Sequence, residues 1–233
     1  MEPFHFKQFS VRHDRSAIKV GTDAVLLGAW TNYDKAERIL DIGTGCGVLA
    51  LIAAQRNGTA RIDGIEIDTA SAEEARANAA SSPWNDRLRI HNMDARKLVS
   101  SDRYELIISN PPFYAGEEAS PDSRKSVAKH SGELTFNELL CAADKLLAAD
   151  GRISVVLPLN REKDFLADAA LFGLKPNRRC VVRYLGSRPP KRVMLELGRR
   201  AEELEQQEIT VENTPGEFSA EYRALLSDLL MRF

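Results

Sequence analysis

The chain has 233 residues, 43% of them hydrophobic, which is enough to fill the core of a single α/β domain. No apolar run approaches the roughly 20 residues that cross a membrane, and the amino-terminal MEPFHFKQF lacks the apolar core of a signal peptide. A net charge of −2 excludes a strongly basic nucleic-acid binder. We therefore expect a cytoplasmic protein without a membrane anchor.

The cysteines and histidines give no pattern for a metal site. The chain has three cysteines, an odd number, and no pair of them has the spacing of metal ligands. The four histidines form no local cluster. We expect a reduced protein without a bound metal.

Strand-like and helix-like segments alternate along the chain, which predicts a mainly parallel sheet with helices on both faces. Only five residues, Gly186 to Pro190, separate the last two strand-like segments, so these should form an antiparallel hairpin. The predicted fold is α/β and Rossmann-like, with seven strands, one of them antiparallel. The predicted strands are 36–42, 61–67, 87–92, 104–109, 151–157, 178–185 and 191–198, and the predicted helices are 23–31, 46–57, 69–80, 134–149 and 160–172.

A glycine-rich turn, DIGTGCG at residues 41–47, follows the first of these strands. Gly43, Gly45 and Gly47 allow the backbone to turn tightly and to approach a ligand. Their spacing is not the G-x-G-x-x-G of dinucleotide-binding proteins, whose loop receives a pyrophosphate. Asp41 would repel a pyrophosphate, so the loop favours a cationic ligand.

Acidic residues follow the next two strands. A carboxylate at the end of the second strand of a βαβ unit commonly binds both ribose hydroxyls. Glu66 and Asp68 both qualify, with Ile67 between them as a further ligand contact, and we favour Glu66 because it is closer to the strand end. Beyond the third strand, Asp94 could accept a hydrogen bond from an adenine amino group, with Ala95 as a neighbouring cofactor contact. Alternatively, Asp94 could simply cap a helix.

The sequence NPPF at residues 110–113 follows the buried strand segment Tyr104 to Ile108. The Asn110 side-chain oxygen and the Pro111 carbonyl are acceptors that can hold the two N–H groups of an exocyclic amine. The prolines restrict the backbone, and the Phe113 ring can stack on a flat group that carries the amine. The motif therefore indicates a site that reacts with a planar amine, although it could also be an ordinary turn.

In this order, the motifs resemble those of class I S-adenosylmethionine-dependent methyltransferases that act on an exocyclic amine. The segment 19–30, KVGTDAVLLGAW, is similar to the segment before the cofactor loop in bacterial tRNA (valine) adenine-N6 methyltransferases. The resemblance implies S-adenosylmethionine as cofactor, with Lys19, Thr22 and Asp23 among its contacts. It also implies methylation at N6 of the adenosine 3′ of the anticodon in valine tRNA. We expect the protein to be a monomer.

The same resemblance suggests how the chain is divided. We expect one methyltransferase domain over 1–233. Residues 1–35 would be a segment that covers substrate and cofactor, 36–200 the core, and 201–233 a carboxyl-terminal extension.

Two basic segments could contact RNA phosphates. Residues 175–200 contain nine Lys or Arg against one acid, whereas 201–233 contain eight acids against two Arg. The basic block could follow the RNA backbone, or it could be a solvated face paired with the acidic extension. The long loop 114–134 is a second candidate surface. The candidate substrate contacts are Phe113, Arg124, Lys125, Lys129 and His130 in and before this loop, and Arg178, Arg179 and Arg183 in the block.

Other functions remain open at this stage. The same chemistry could act on a protein glutamine, an rRNA guanine N2 or a DNA adenine. A nucleotide-binding module without catalysis would explain residues 41–68 but would leave residues 110–113 without a role.

Overall fold

The computed structural model describes residues 2–100, 102–111, 134–200 and 202–231. The strands are β1 (Phe4–His5), β2 (Ser10–Val11), β3 (Arg38–Ile42), β4 (Arg61–Glu66), β5 (Leu88–Asn92), β6 (Tyr104–Ser109), β7 (Leu147–Pro158), β8 (Lys175–Leu185), β9 (Arg192–Gly198), β10 (Glu205–Thr214) and β11 (Glu217–Phe218). The helices are α1 (Thr22–Trp30), α2 (Val48–Arg56), α3 (Thr69–Ala80), α4 (Phe136–Leu146), α5 (Glu162–Leu171) and α6 (Ala220–Leu226), with 3₁₀ turns at Ala95–Lys97 and Leu159–Arg161.

In the described part of the chain, nine strands form one sheet in the order β11-β10-β8-β9-β7-β6-β3-β4-β5. Neighbours from β5 to β7 are parallel, and β9 runs antiparallel between β7 and β8. The α/β class, the parallel majority and the antiparallel hairpin are confirmed. The described sheet has two strands more than the predicted seven, because β10 and β11 extend it beyond β8.

The extra strands were hard to detect because β10 lies near the edge of the sheet. Only Ile209 and Val211 of this strand are buried, and most of its other side chains are polar and exposed. Edge strands with charged outward residues are common because they prevent aggregation. A strand with two buried apolar positions gives too weak an alternation to be recognised in the sequence.

Two apolar layers cover the sheet. α1 and α2 pack on one face together with α6, and α4 and α5 pack on the other. Neighbouring residues of β3 point to opposite layers: Ile39 joins the first and Leu40 the second. This burial on both faces is why β3, β6 and β7 read as nearly continuous apolar runs.

The topology places the candidate residues together. Parallel strands β3, β4, β5 and β6 end at the same edge of the sheet, and the segments after them all begin there. Ligands of open α/β sheets bind outside the carboxyl ends of the strands. This edge therefore carries the glycine turn, Glu66, Asp94 and Asn110.

Candidate active site

The glycine turn between β3 and α2 has a backbone that requires glycine. Gly43, Gly45 and Gly47 have φ angles of 73°, 56° and 87°, which side-chain-bearing residues rarely adopt. A Cβ atom at Gly47 would also lie 3.3 Å from the Ala75 Cβ. At Gly43 and Gly45 no atom lies within 4 Å of that position, so the loop faces open space there.

Asp41 supports this turn from below. Its side chain is fully buried, and Oδ2 accepts hydrogen bonds from Thr44 Oγ1 at 2.6 Å and from the Ala50 N–H at 3.1 Å. Burial raises the pKa of Asp41 to about 7, despite the opposing effect of these two hydrogen bonds. Asp41 is thus placed to fix the loop conformation.

Glu66 and Asp68, the two ribose candidates in the sequence, make different contacts in the structure. Glu66 lines a cavity beside the loop, and its two oxygens accept the N–H groups of Gly45 and Asp68, both at 2.9 Å. Asp68 caps α3, where its Oδ2 accepts from the Ser71 N–H at 2.8 Å and from the Ser71 hydroxyl at 2.7 Å. Both oxygens of Glu66 keep a further lone pair for a ligand.

Asp94 has a second role besides lining the cavity. Its carboxylate caps the 3₁₀ turn by accepting from the Arg96 N–H at 3.0 Å, and it binds the Arg96 guanidinium at 2.8 to 3.0 Å. The bond from this guanidinium is the largest cause of a pKa of Asp94 below its usual range. Arg96 also reaches Glu138 of α4 at 3.2 Å, so Asp94 is held ionised and in place.

Asn110 follows β6 and also lines the cavity. The preceding Ser109 donates its hydroxyl to the Ile42 carbonyl at 2.8 Å, which links β6 to the end of β3. The Asn110 Oδ1 atom is buried and has no hydrogen-bond partner in the described part of the chain. A buried acceptor without a partner is costly, by about 1–3 kcal/mol, unless a ligand supplies the donor. Pro111 is buried beside it.

A segment near the amino terminus forms another wall of the cavity. The buried carboxylate of Glu74 in α3 accepts the N–H groups of Asp14 and Arg15, each at 3.0 Å, and that of Ser16 at 2.8 Å. The Ser16 hydroxyl donates to the same carboxylate. These bonds hold the segment 14–19, which we call the strap, across α3.

The cavity enclosed by these elements has a volume of about 410 Å³, within the range of small-molecule sites. Ile18 of the strap and Ile67 after β4 line it and are 48% and 49% exposed, so they offer apolar surface to a flat ligand. The predicted site residues that line it are Lys19, Gly43, Gly45, Glu66, Ile67, Asp94, Ala95 and Asn110.

Comparison with known proteins agrees with this geometry. The methyltransferase small domain family matches residues 15–169. A tRNA1(Val) (adenine(37)-N6)-methyltransferase of Trichodesmium erythraeum is 38% identical over 99% of this chain and 98% of its own length. The protein of the same name from Yersinia enterocolitica is 41% identical over 99% of this chain and 93% of its own. The chain belongs to the tRNA1(Val) (adenine(37)-N6)-methyltransferase family.

A solved structure supports the fold of this methyltransferase. A predicted O-methyltransferase of Agrobacterium tumefaciens superposes with a TM-score of 0.66 at 17% identity, over 89% of this chain and 96% of its own. The chain is therefore an enzyme of the class I methyltransferase fold, and its methyl donor is S-adenosylmethionine. The glycine turn, the Glu66 carboxylate at the cavity and the open cavity itself fit this cofactor.

Some predicted cofactor contacts of the methyltransferase lie away from the cavity lining. The side chain of Asp41 is beneath the loop, and Gly47 is the N-cap residue of α2. Thr22 lines a different cavity. Asp23 accepts hydrogen bonds from the Tyr184 hydroxyl and from Arg192 Nε, the latter at 2.9 Å.

The predicted arginine contacts of the basic block are all in ion pairs. Arg178 pairs with Glu196 and Glu205, Arg179 with Glu162, and Arg183 with Glu208. Two of these acids, Glu205 and Glu208, belong to the acidic extension, because β10 lies beside β8. These ion pairs neutralise much of the positive charge of the three arginines, which leaves less of it available to RNA phosphates.

The other predicted substrate contacts, Phe113, Arg124, Lys125, Lys129 and His130, lie outside the described residues.

Several cavity residues of the methyltransferase were not recognised in the sequence. Ile18 belongs to the strap, which has no sequence motif. Only the hydrogen bonds between Glu74 and the N–H groups of residues 14–16 show that the strap lies beside the cavity. Met93 directly precedes Asp94 and could have been found from its position at the strand end. The remaining ones are Ala17, Ala24, Thr44, Cys46, Val48, Leu49, Ile65, Ser71 and Leu134. Asp68, the alternative to Glu66 in the sequence, also lines the cavity.

The described residues contain no group of three or more His, Cys, Asp or Glu side chains that could hold a metal ion. None of their helices combines the length and the hydropathy needed to cross a membrane.

Proposed function

We propose that this enzyme transfers the methyl group of S-adenosylmethionine to N6 of adenosine 37 in valine tRNA, the reaction named for its relatives. The observation that carries the proposal is the buried Asn110 Oδ1 atom, which lines the cavity without a described partner. An exocyclic amine would supply the missing donor. We further propose that the enzyme is a monomer and works in the cytoplasm. Its single domain would consist of an amino-terminal segment, 1–35, a core, 36–200, and an extension, 201–233.

The cofactor, when bound, supplies an electrophilic methyl group on a sulfonium. Glu66 would bind the ribose hydroxyls, because a carboxylate can accept from both at once. Ile18 and Ile67 would lie against the adenine ring, and Asp94 would accept from its amino group. The glycine turn would lie along the amino acid portion, where no side chain blocks its approach.

The residues at the end of β6 would make the amine reactive. The N6 lone pair of adenine is delocalised into the ring, which makes it a poor nucleophile. Asn110 Oδ1 and the Pro111 carbonyl would each accept one N–H and stabilise the positive charge that develops on nitrogen. The cofactor would supply the methyl group and retain its sulfur as a thioether, while Asn110 Oδ1 and the Pro111 carbonyl would hold the nitrogen until it releases a proton to solvent.

Substrate access favours a loop nucleotide over a base in a duplex. A base must leave its stack to enter a cavity, and this costs least where it is unpaired. Phe113 would stack on the purine once it is inserted. The residues that follow, including Arg124, Lys125, Lys129 and His130, remain candidates for phosphate contacts.

The test is transfer of a labelled methyl group to separate pools of valine tRNA, rRNA, DNA and release-factor protein. We expect incorporation into the tRNA and its loss when adenosine 37 is replaced by guanosine. Incorporation that ignores this replacement would overturn the site assignment. Methylation of a protein glutamine instead of tRNA would show that the substrate of the enzyme is a protein amide and not an RNA base.

A further inference from the structure

A second cavity, of about 660 Å³, lies between the turn that joins β8 to β9 and the carboxyl-terminal extension. We call it the hairpin groove. The residues of its lining that matter here are Tyr184, Arg188, Lys191, Glu212, Phe218 and Tyr222. Neither the family match nor the methyl-transfer chemistry assigns it a role.

The walls of the hairpin groove are held together closely. The Gly186 N–H of the turn donates to the Glu212 carbonyl of β10 at 2.8 Å. A Cβ atom at Gly186 would lie only 2.8 Å from the Asn213 carbonyl oxygen, so only glycine allows this approach. The Ser219 N–H donates to the Val211 carbonyl at 2.9 Å and links the other wall. The groove is therefore preformed.

The groove lies beside the cofactor cavity. β8 is parallel to β7 because both are antiparallel to β9, so β8 ends at the same edge of the sheet as the strands that carry the active site. One short segment contributes to both cavities: Lys19 and Ala24 line the cofactor cavity, and Thr22 lines the groove. A polymer whose reacting unit enters the first cavity would pass over the second.

The charges of the groove differ from those of the neighbouring arginines of the basic block. Arg188 and Lys191 are exposed, and their side chains make no ion pair with any described residue. The neighbouring Arg183 and Arg192 are paired with acids at 2.9 Å. Two prolines separate Arg188 from Lys191 and fix the backbone between them, so the two free cations are presented on a rigid turn.

Aromatic rings complete the lining. Tyr184 of β8 is partly exposed in the lining, whereas Tyr222, which stacks on Phe218 with ring centroids 5.2 Å apart, is buried in the core. The acid in the lining, Glu212, accepts the Gly216 N–H at 3.0 Å and is therefore already hydrogen-bonded. Cationic side chains next to aromatic faces are the combination that binds single-stranded nucleic acid, through phosphates and stacked bases respectively.

We infer that the hairpin groove binds the anticodon-loop strand next to the target nucleotide. Arg188 and Lys191 contact its phosphates, and an unpaired base lies against the partly exposed Tyr184 ring. The inference rests on the proposed function, because it takes tRNA as the substrate. It assigns the RNA contact of the basic block to these two residues and not to the paired Arg178, Arg179 and Arg183.

The test compares two variants with the same change in charge. Arg188→Glu/Lys191→Glu reverses the groove, and Arg61→Glu/Lys175→Glu reverses two exposed cations at the starts of β4 and β8, on the opposite edge of the sheet. We expect the groove variant to raise KM for tRNA at least tenfold, with S-adenosylhomocysteine affinity unchanged. The control should stay within about twofold of the wild type.

A salt titration gives an independent measurement. Each phosphate contact on a single strand adds about 0.7 to the slope of log affinity against log salt concentration. Arg188→Ala/Lys191→Ala should therefore reduce this slope by about 1.4. Thermal unfolding and cofactor binding of each variant establish that the fold is intact.

The outcomes separate the two proposals. Wild-type enzyme that does not methylate tRNA would overturn the proposed function. Active wild type, with a groove variant that binds tRNA like the control and an unchanged salt slope, would overturn the groove alone.

Discussion

The carboxylate of Glu66 accepts a hydrogen bond from the Gly45 N–H at 2.9 Å. This contact joins the end of β4 to the glycine turn that follows β3, across 21 residues of sequence. It places the carboxylate that we propose to bind the ribose against the glycine turn. It also distinguishes Glu66 from Asp68, whose carboxylate is used to cap α3.

The two carboxylates should respond differently to removal. Glu66→Ala should weaken S-adenosylhomocysteine binding by about 1.5–3 kcal/mol, the scale of a lost charge-assisted hydrogen bond. Asp68→Ala should instead lower the free energy of unfolding by about 1 kcal/mol, because it removes a helix cap. Calorimetry and urea unfolding of both variants check this. Equal losses of cofactor affinity would argue against the assignment of the ribose to Glu66.

Asn110 should act on the chemical step. Asn110→Ala should reduce kcat by about 10²–10³, the effect of removing one donor or acceptor that stabilises developing charge, and leave cofactor affinity within a few-fold. Asn110→Asp keeps an acceptor oxygen and should recover part of the turnover. Single-turnover methylation of tRNA gives the measurement. A fully active Asn110→Ala enzyme would mean that the turn is only structural.

Glu74 should control the strap. Glu74→Ala leaves the N–H groups of residues 14–16 without their acceptor, so the strap should loosen and cofactor affinity should fall by about tenfold. Hydrogen exchange of these amides should become faster. Glu73→Ala, which removes only an exposed ion pair with Arg15, is the matched control. Unchanged exchange in Glu74→Ala would show that other contacts hold the strap.

Asp41 should make stability depend on pH. Its pKa is about 7 in the folded protein, against an ordinary value of 3.8, so the folded state binds more protons between about pH 4 and pH 7. The contribution of Asp41 to the free energy of unfolding therefore falls as pH rises through this window, by up to about 1.4 kcal/mol per pH unit. Asp41→Asn should lose this dependence. The free energy of unfolding of Asp41→Asn, relative to that of the wild type, should therefore be higher at pH 8 than at pH 5.

Urea unfolding across this range tests the Asp41 prediction, and Asp86→Asn, at an exposed position, serves as control. Parallel curves for wild type and Asp41→Asn would contradict a raised pKa.

Local features of this enzyme could be recognised in the sequence because their causes are local. The glycine turn needs positive φ angles, which only glycine adopts readily, so the requirement is visible as G-x-G-x-G. The strands β3 and β6 are recognisable in the sequence as apolar runs, because both of their faces are buried. The order of the strands then places Glu66, Asp94 and Asn110 at one edge.

Only the tertiary structure decided where side chains find their partners. Glu74 and Ser16 are 58 residues apart, and Arg183 and Glu208 are 25 apart. No periodicity in the sequence encodes such pairs, because each depends on how distant elements pack. The sequence by itself therefore determined the fold class and the chemistry of the active-site edge. The packing of the strap and of β10 decided which acids, arginines and grooves remain available to a ligand.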